Sequence, residues 1–163
     1  MILRQQANDT DAARGLLPPF WIDMTGLFEL YVYSLLEKAY PKQVLFQEPG
    51  SHKTRCDYLH LQSKMIMDAK YKPGYSFREE DSKVYSLMDD IREISGYARD
   101  MRLLKRMGKG EDYIPRCMII YPDQNDGISG FAGTDLVEQG IGINEFSRFY
   151  RLGVKLPLKE QRG

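Results

Sequence analysis

The apolar positions of this chain switch three times between helical and strand period. From Trp21 to Tyr40, Met24, Leu27, Phe28, Tyr31, Val32 and Leu35 recur at three and four residues, which predicts a helix closed by Pro41. Val44 to Glu48 reads as a short strand stopped by Pro49 and Gly50. Arg55 to Pro73, "RCDYLHLQSKMIMDAKYKP", predicts a β-hairpin turning at Gln62-Ser63. A long helical stretch is expected from Asp81 to Met107, in register through Val84, Leu87, Ile91, Ile94, Ala98, Met101 and Leu104, and ended by Gly108 and Gly110. "RCMIIYP", Arg116 to Pro122, is a continuous apolar run suited to a central strand. After a turn-rich loop, Phe146 to Leu158 reads as the last strand. The resulting order predicts an α/β domain with a mixed sheet.

The first twenty residues are polar, carry a Pro pair and show no period. They are expected to be a tail, or the remnant of a preceding domain, with one domain over 21–163. Composition is ordinary for a globular chain, 42% hydrophobic and 28% charged among 163 residues. Lys+Arg and Asp+Glu are 23 each, so a nucleic-acid surface must come from local clustering. Two cysteines without a Cys-x-x-Cys spacing, and two histidines, argue against structural zinc. Buried free thiols, no membrane span and a cytoplasmic setting are expected.

The hairpin carries the chemistry. With a two- or four-residue loop centred on Gln62-Ser63, Asp57 falls directly opposite Asp68, and Lys70 shares the face of Asp68. Two facing carboxylates repel unless one is protonated or a cation sits between them. An oxygen-ligand metal site beside a lysine is one reading, and structural ion pairing is the other. Residues on both faces of the hairpin are apolar, so a covered sheet is expected.

Asp57 followed by Asp68-Ala69-Lys70 resembles the signature of the PD-(D/E)xK nucleases. "FWIDMTGLFELYVYSLL" adds Glu29 on a preceding helix. "DIREISGYARDM" resembles the Gln-x-x-x-Tyr helix of that superfamily, with Glu93 and Tyr97 in its two positions. Taken with "FYRLGVKLP", the chain looks most like the C-terminal nuclease domain of the McrC family, over about Pro19 to Pro157. Cys56 stands where the superfamily name has Pro, and Glu93 replaces Gln.

The resemblance implies a restriction-endonuclease-like core, a mixed β-sheet flanked by helices. It also implies a magnesium-dependent endodeoxyribonuclease, with manganese able to substitute. Glu29, Asp57 and Asp68 would be metal ligands, Lys70 a catalytic partner, and Glu93 and Tyr97 supporting residues. The family's role is cleavage in modification-dependent restriction, of 5-methylcytosine type, beside an McrB-like AAA+ GTPase. Homodimer formation is left open. The alternative is a catalytically silent nucleic-acid-binding or assembly module on the same fold. Arg92, Arg99, Arg102 and Arg106 fall within about 80° on one continuous helix at about 100° per residue. With Lys72 they are candidate DNA contacts, or else a solvated face.

Overall fold

The computed structural model describes residues 23–72 and 84–158, and the backbone alone at 84–86. The expected N-terminal tail and the domain boundary at residue 21 lie outside the described residues.

Helix α1 spans Met24–Ala39 and starts where the Asp23 side chain accepts the Gly26 N–H at 3.1 Å. It buries Phe28, Val32 and Leu36. Met24 and Leu27, expected on the apolar face, are instead 41% and 52% exposed. The buried arc thus follows positions 28, 32 and 36, and the first turn lies off the sheet.

Strands β1 (Val44–Pro49), β2 (Arg55–His60) and β3 (Met65–Ala69) form an antiparallel meander. A short 3-10 turn at Ser51–Lys53 joins the first two. Strand β4 (Arg116–Pro122) lies parallel to β3, and β6 (Phe149–Val154) parallel to β4. Helix α4 (Leu136–Gln139) and the two-residue strand β5 (Ile141–Gly142) precede β6. The six-stranded mixed sheet has the order β1-β2-β3-β4-β6-β5.

Between β3 and β4 the chain forms α2 (Val84–Tyr97) and α3 (Met101–Arg106). The single helix expected through Met107 is therefore broken. Asp100 breaks it by taking an extended conformation and capping α3, accepting the Arg102 N–H at 2.8 Å. The same carboxylate accepts the Ser51 N–H at 2.6 Å and the Ser51 hydroxyl at 2.9 Å. The helix break is thus tied to the β1–β2 turn.

The sheet is covered on both faces, as its apolar pattern requires. Phe28, Val32 and Leu36 of α1 pack with Tyr58, Met65, Met67, Met118 and Ile120. Leu87, Ile91, Ile94, Leu103 and Leu104 pack on the other face with Leu59, Ile66, Cys117 and Ile119. Cys56 and Cys117 are free and buried. Among the described residues, no helix is long and apolar enough to cross a membrane.

Candidate functional site

The hairpin register is the one its turn demands. His60 faces Met65, Leu59 faces Ile66 and Tyr58 faces Met67. One step further, at Asp57 and Asp68, the regular ladder lapses. Lys70 N donates to Ile120 O of β4 at 2.8 Å, so the preceding Ala69 N points to β2. There it meets the Asp57 carboxylate, donating to Oδ2 at 2.8 Å. A side chain fills the place of a backbone acceptor, and the strands part around it.

Face alternation also slips at this row. Tyr58 packs on the α1 side, yet Cys56, two residues away, packs on the α2–α3 side. In β1, Phe46 packs on the α1 side, while Glu48 pairs with Arg106 of α3 at 3.0 Å. Residues two apart on a regular strand share a face. Both strands therefore rotate through the row that holds Gln47 and Asp57. Gln47 has φ 50, a left-handed conformation that supplies the rotation in β1.

Asp68 is buried, and its Oδ2 lies 2.6 Å from Lys70 Nζ. That contact is a close ion pair, and the Lys70 ammonium is the positive charge that faces Oδ2. Lys70 also donates to Glu93 Oε2 at 2.9 Å, and Tyr97 donates its hydroxyl to Glu93 Oε1 at 3.2 Å. Glu29 stands over this row from α1, whose backbone is fixed there by the Tyr58 hydroxyl donating to Glu29 O at 2.6 Å. The structure thus brings Glu29, Asp57, Asp68, Lys70, Glu93 and Tyr97 into one cluster.

The electrostatics follow from burial and crowding. Burial, then the negative charge of Asp68, pushes the Asp57 carboxyl up to about 8. Burial also raises Asp68, despite the opposing pull of Lys70. Burial works against the Lys70 charge, but Asp68 and Glu93 outweigh it and hold the ammonium protonated. Glu29 is raised by burial and by Asp68, with Gln47 and Lys70 opposing.

Lys72 donates to both oxygens of Asp90, at 3.0 and 2.8 Å. Asp90 Oδ1 is 3.8 Å from Lys70 Nζ. Asp90 was not among the expected site residues, although its place on the Leu87–Ile91–Ile94 apolar stripe was a visible signal. Gln47 was also missed, and nothing in its local sequence marks a left-handed residue. The arginines do not share one helix face, because the helix ends at Tyr97. Arg92 pairs with Asp89 at 3.4 Å, Arg99 falls in the break, and Arg106 pairs with Glu48.

The donor set suits a hard divalent cation. It consists of carboxylate oxygens in a pair that repels when ionised, Asp68 being buried and already ion-paired with Lys70. Among the described residues, no group of three or more His, Cys, Asp or Glu side chains is placed to hold a metal ion. Asp57 and Asp68 stand together, and the Glu29 carboxylate lies near enough to feel the charge of Asp68. Two cavities, of about 510 and 500 Å³, are lined by other residues, including Pro115 and Cys117 in one and His60 and Arg116 in the other. Those lie at the opposite ends of the central strands from Lys70.

No family model matches the chain, and no curated protein matches it. Among solved structures it is similar to a chain in a half-complex from the tetradecameric assembly of Thermococcus gammatolerans McrB AAA+ hexamers with bound McrC, at 16% identity and a TM-score of 0.49. The match covers 88% of this chain and 30% of that one, so the chain spans under a third of its neighbour's length.

Proposed function

We propose that this chain is a metal-dependent endonuclease domain that hydrolyses DNA phosphodiesters on a PD-(D/E)xK core. The observation that carries the reading is the Asp57–Asp68 pair at the parted end of β2 and β3, with the Lys70 ammonium 2.6 Å from Asp68. The sequence resemblance agrees with it. It extends the proposal to cleavage within a modification-dependent restriction system, beside an McrB-like AAA+ GTPase.

Asp57, Asp68 and Glu29 would hold magnesium or manganese. Such an ion, when bound, polarises a phosphate and lowers the pKa of a bound water. Lys70, protonated in this setting, orients that water and offsets negative charge on the phosphate. Glu93 and Tyr97 hold the Lys70 side chain in place. Arg99 and Arg102, both exposed, are available to phosphates along the duplex. Lys72, engaged with Asp90, serves the site first and phosphate second.

The second reading is a catalytically silent module, in which the Asp68–Lys70 ion pair and the Ala69–Asp57 hydrogen bond satisfy the carboxylates within the fold without any ion. A nicking assay on supercoiled plasmid separates the readings, with manganese, comparing wild type and Lys70→Ala. Nicking by wild type that is lost in the variant supports the nuclease. Absence of nicking together with absence of manganese binding by calorimetry supports the module.

A further inference from the structure

His60 closes strand β2 with its imidazole on the α1 side of the sheet, the side that also buries Tyr58, Met65 and Met118. It faces Met65 of β3, and Met65 in turn lies beside Arg116 of β4, so His60, Met65 and Arg116 form one row across three strands. His60 is only 2% exposed, and its ring is fixed from two sides. The Tyr40 ring stands T-shaped against it at 4.7 Å. Ser63 of the hairpin turn donates its N–H to Nδ1 at 3.1 Å, and its hydroxyl lies 2.6 Å from the same nitrogen. A backbone N–H can only donate, so Nδ1 is the acceptor and the ring hydrogen sits on Nε2. Among the described residues that Nε2–H has no hydrogen-bond acceptor, and buried polar groups are rarely left so. Burial holds the imidazole below its usual pKa, against the pull of Asp135, and so favours the neutral ring.

His60 lines the cavity of about 500 Å³ at the end of the strands far from Lys70. Lys64 and Arg116 line it too, and among the described residues neither is ion-paired. Asp135 is the one carboxylate on the wall, and its Oδ1 accepts the Val137 N–H at 3.0 Å as the cap of α4. The wall therefore offers two positive charges, one negative charge and a neutral ring donor. A guanidinium fork can hold two oxygens of a phosphate at once, an ammonium adds a second charge, and an imidazole N–H can take a further oxygen. We propose that this cavity binds a phosphate group, with Arg116 and Lys64 supplying the charge and the His60 Nε2–H the directional contact. Its volume suits a small phosphate ester of nucleotide size. The site stands at the other end of the strands from the Asp57–Asp68 pair and does not depend on the nuclease reading.

The test titrates the full chain by calorimetry, without divalent metal and at constant ionic strength. The ligands are inorganic phosphate, a nucleoside 5′-monophosphate and acetate, and the proteins are wild type, Lys64→Gln and Arg116→Gln. Wild type is expected to bind phosphate or the nucleotide but not acetate, and Arg116→Gln to bind about 10–100-fold more weakly. The contact from His60 is read without a substitution, by nitrogen NMR of the histidine-labelled protein. Phosphate should shift the His60 Nε2 resonance and leave that of the exposed His52, the other histidine of the chain, in place. Tighter binding of the nucleotide than of inorganic phosphate identifies the ligand as an ester, and the reverse order identifies it as the free oxyanion. Absence of binding by both phosphate ligands overturns the proposal. So does equal binding of acetate, wild-type affinity in Arg116→Gln, or a His60 resonance that does not move at saturating phosphate.

Discussion

The Asp57 carboxylate takes the place of a strand: its Oδ2 accepts the Ala69 N–H at 2.8 Å, where the β2 backbone would otherwise pair. The same group faces Asp68 and gains a raised pKa from burial and from that charge. Two roles in one side chain can be separated by substitution. Asp57→Asn keeps an acceptor for Ala69 and removes the charge. It should raise metal-free stability at pH 7, by at most about 4 kcal/mol, because folding no longer has to force a proton onto the group. Stabilisation by manganese and any cleavage should disappear. Asp57→Ala also orphans the Ala69 N–H and should be less stable than Asp57→Asn by about 1–3 kcal/mol. Thermal melts of both variants, with and without manganese, check the order.

The pH dependence has a definite sign. Unfolded, Asp57 titrates near 3.8; folded, near 8. Between those values the folded chain keeps a proton that the unfolded chain has lost, so metal-free stability should fall as pH rises across that window. Asp68, raised by burial, adds to the same slope. Saturating manganese binds the ionised carboxylates and should flatten or reverse it. Melting temperatures from pH 5 to pH 9 in the two conditions test this. A metal-free slope of the opposite sign would contradict the shared burial of the pair.

Asp100 joins the α2–α3 break to the turn at Ser51. Its hydrogen bonds from Ser51 and Arg102 outweigh its partial burial and hold its carboxyl below the usual range. Asp100→Ala should cost about 0.5–2 kcal/mol and increase amide exchange over residues 98–106 and 51–53. Manganese affinity should not change, because none of the clustered carboxylates touches this corner.

The arginines should act unequally. Neutralising Arg99 and Arg102 together should lower the salt slope of DNA binding by up to about 1.8, at about 0.9 per phosphate contact. Arg106→Gln should mainly loosen α3 from Glu48 of β1 and leave the slope nearly unchanged. Binding isotherms at several salt concentrations distinguish these effects. An unchanged slope in the double variant places the duplex elsewhere on the domain.

The hairpin register was legible because the turn sets the pairing, and the loop Leu61–Lys64 is centred on Gln62-Ser63. Glu29, Lys70, Glu93 and Tyr97 were legible through their spacing and the family pattern they resemble, and the structure brings them together. The helix break was not seen, because apolar spacing continues through Ala98, Met101 and Leu104 across it. Asp100 before Met101 was a capping signal outweighed by that period. The slip in alternation at Gln47 had no signal at all. Glutamine is not a residue type that signals a left-handed backbone, so a φ of 50 there could not be read from the local sequence.

That slip also bears on how the chain behaves toward its own copies. Among the described residues strand β1 is an edge of the sheet, and a long regular edge is a template for another strand to add. Rotation at Gln47 divides its outward row of N–H and C=O groups into two short runs with different orientations. Irregularity of this kind is one of the ways edge strands avoid pairing with one another, and β1 carries it at Gln47.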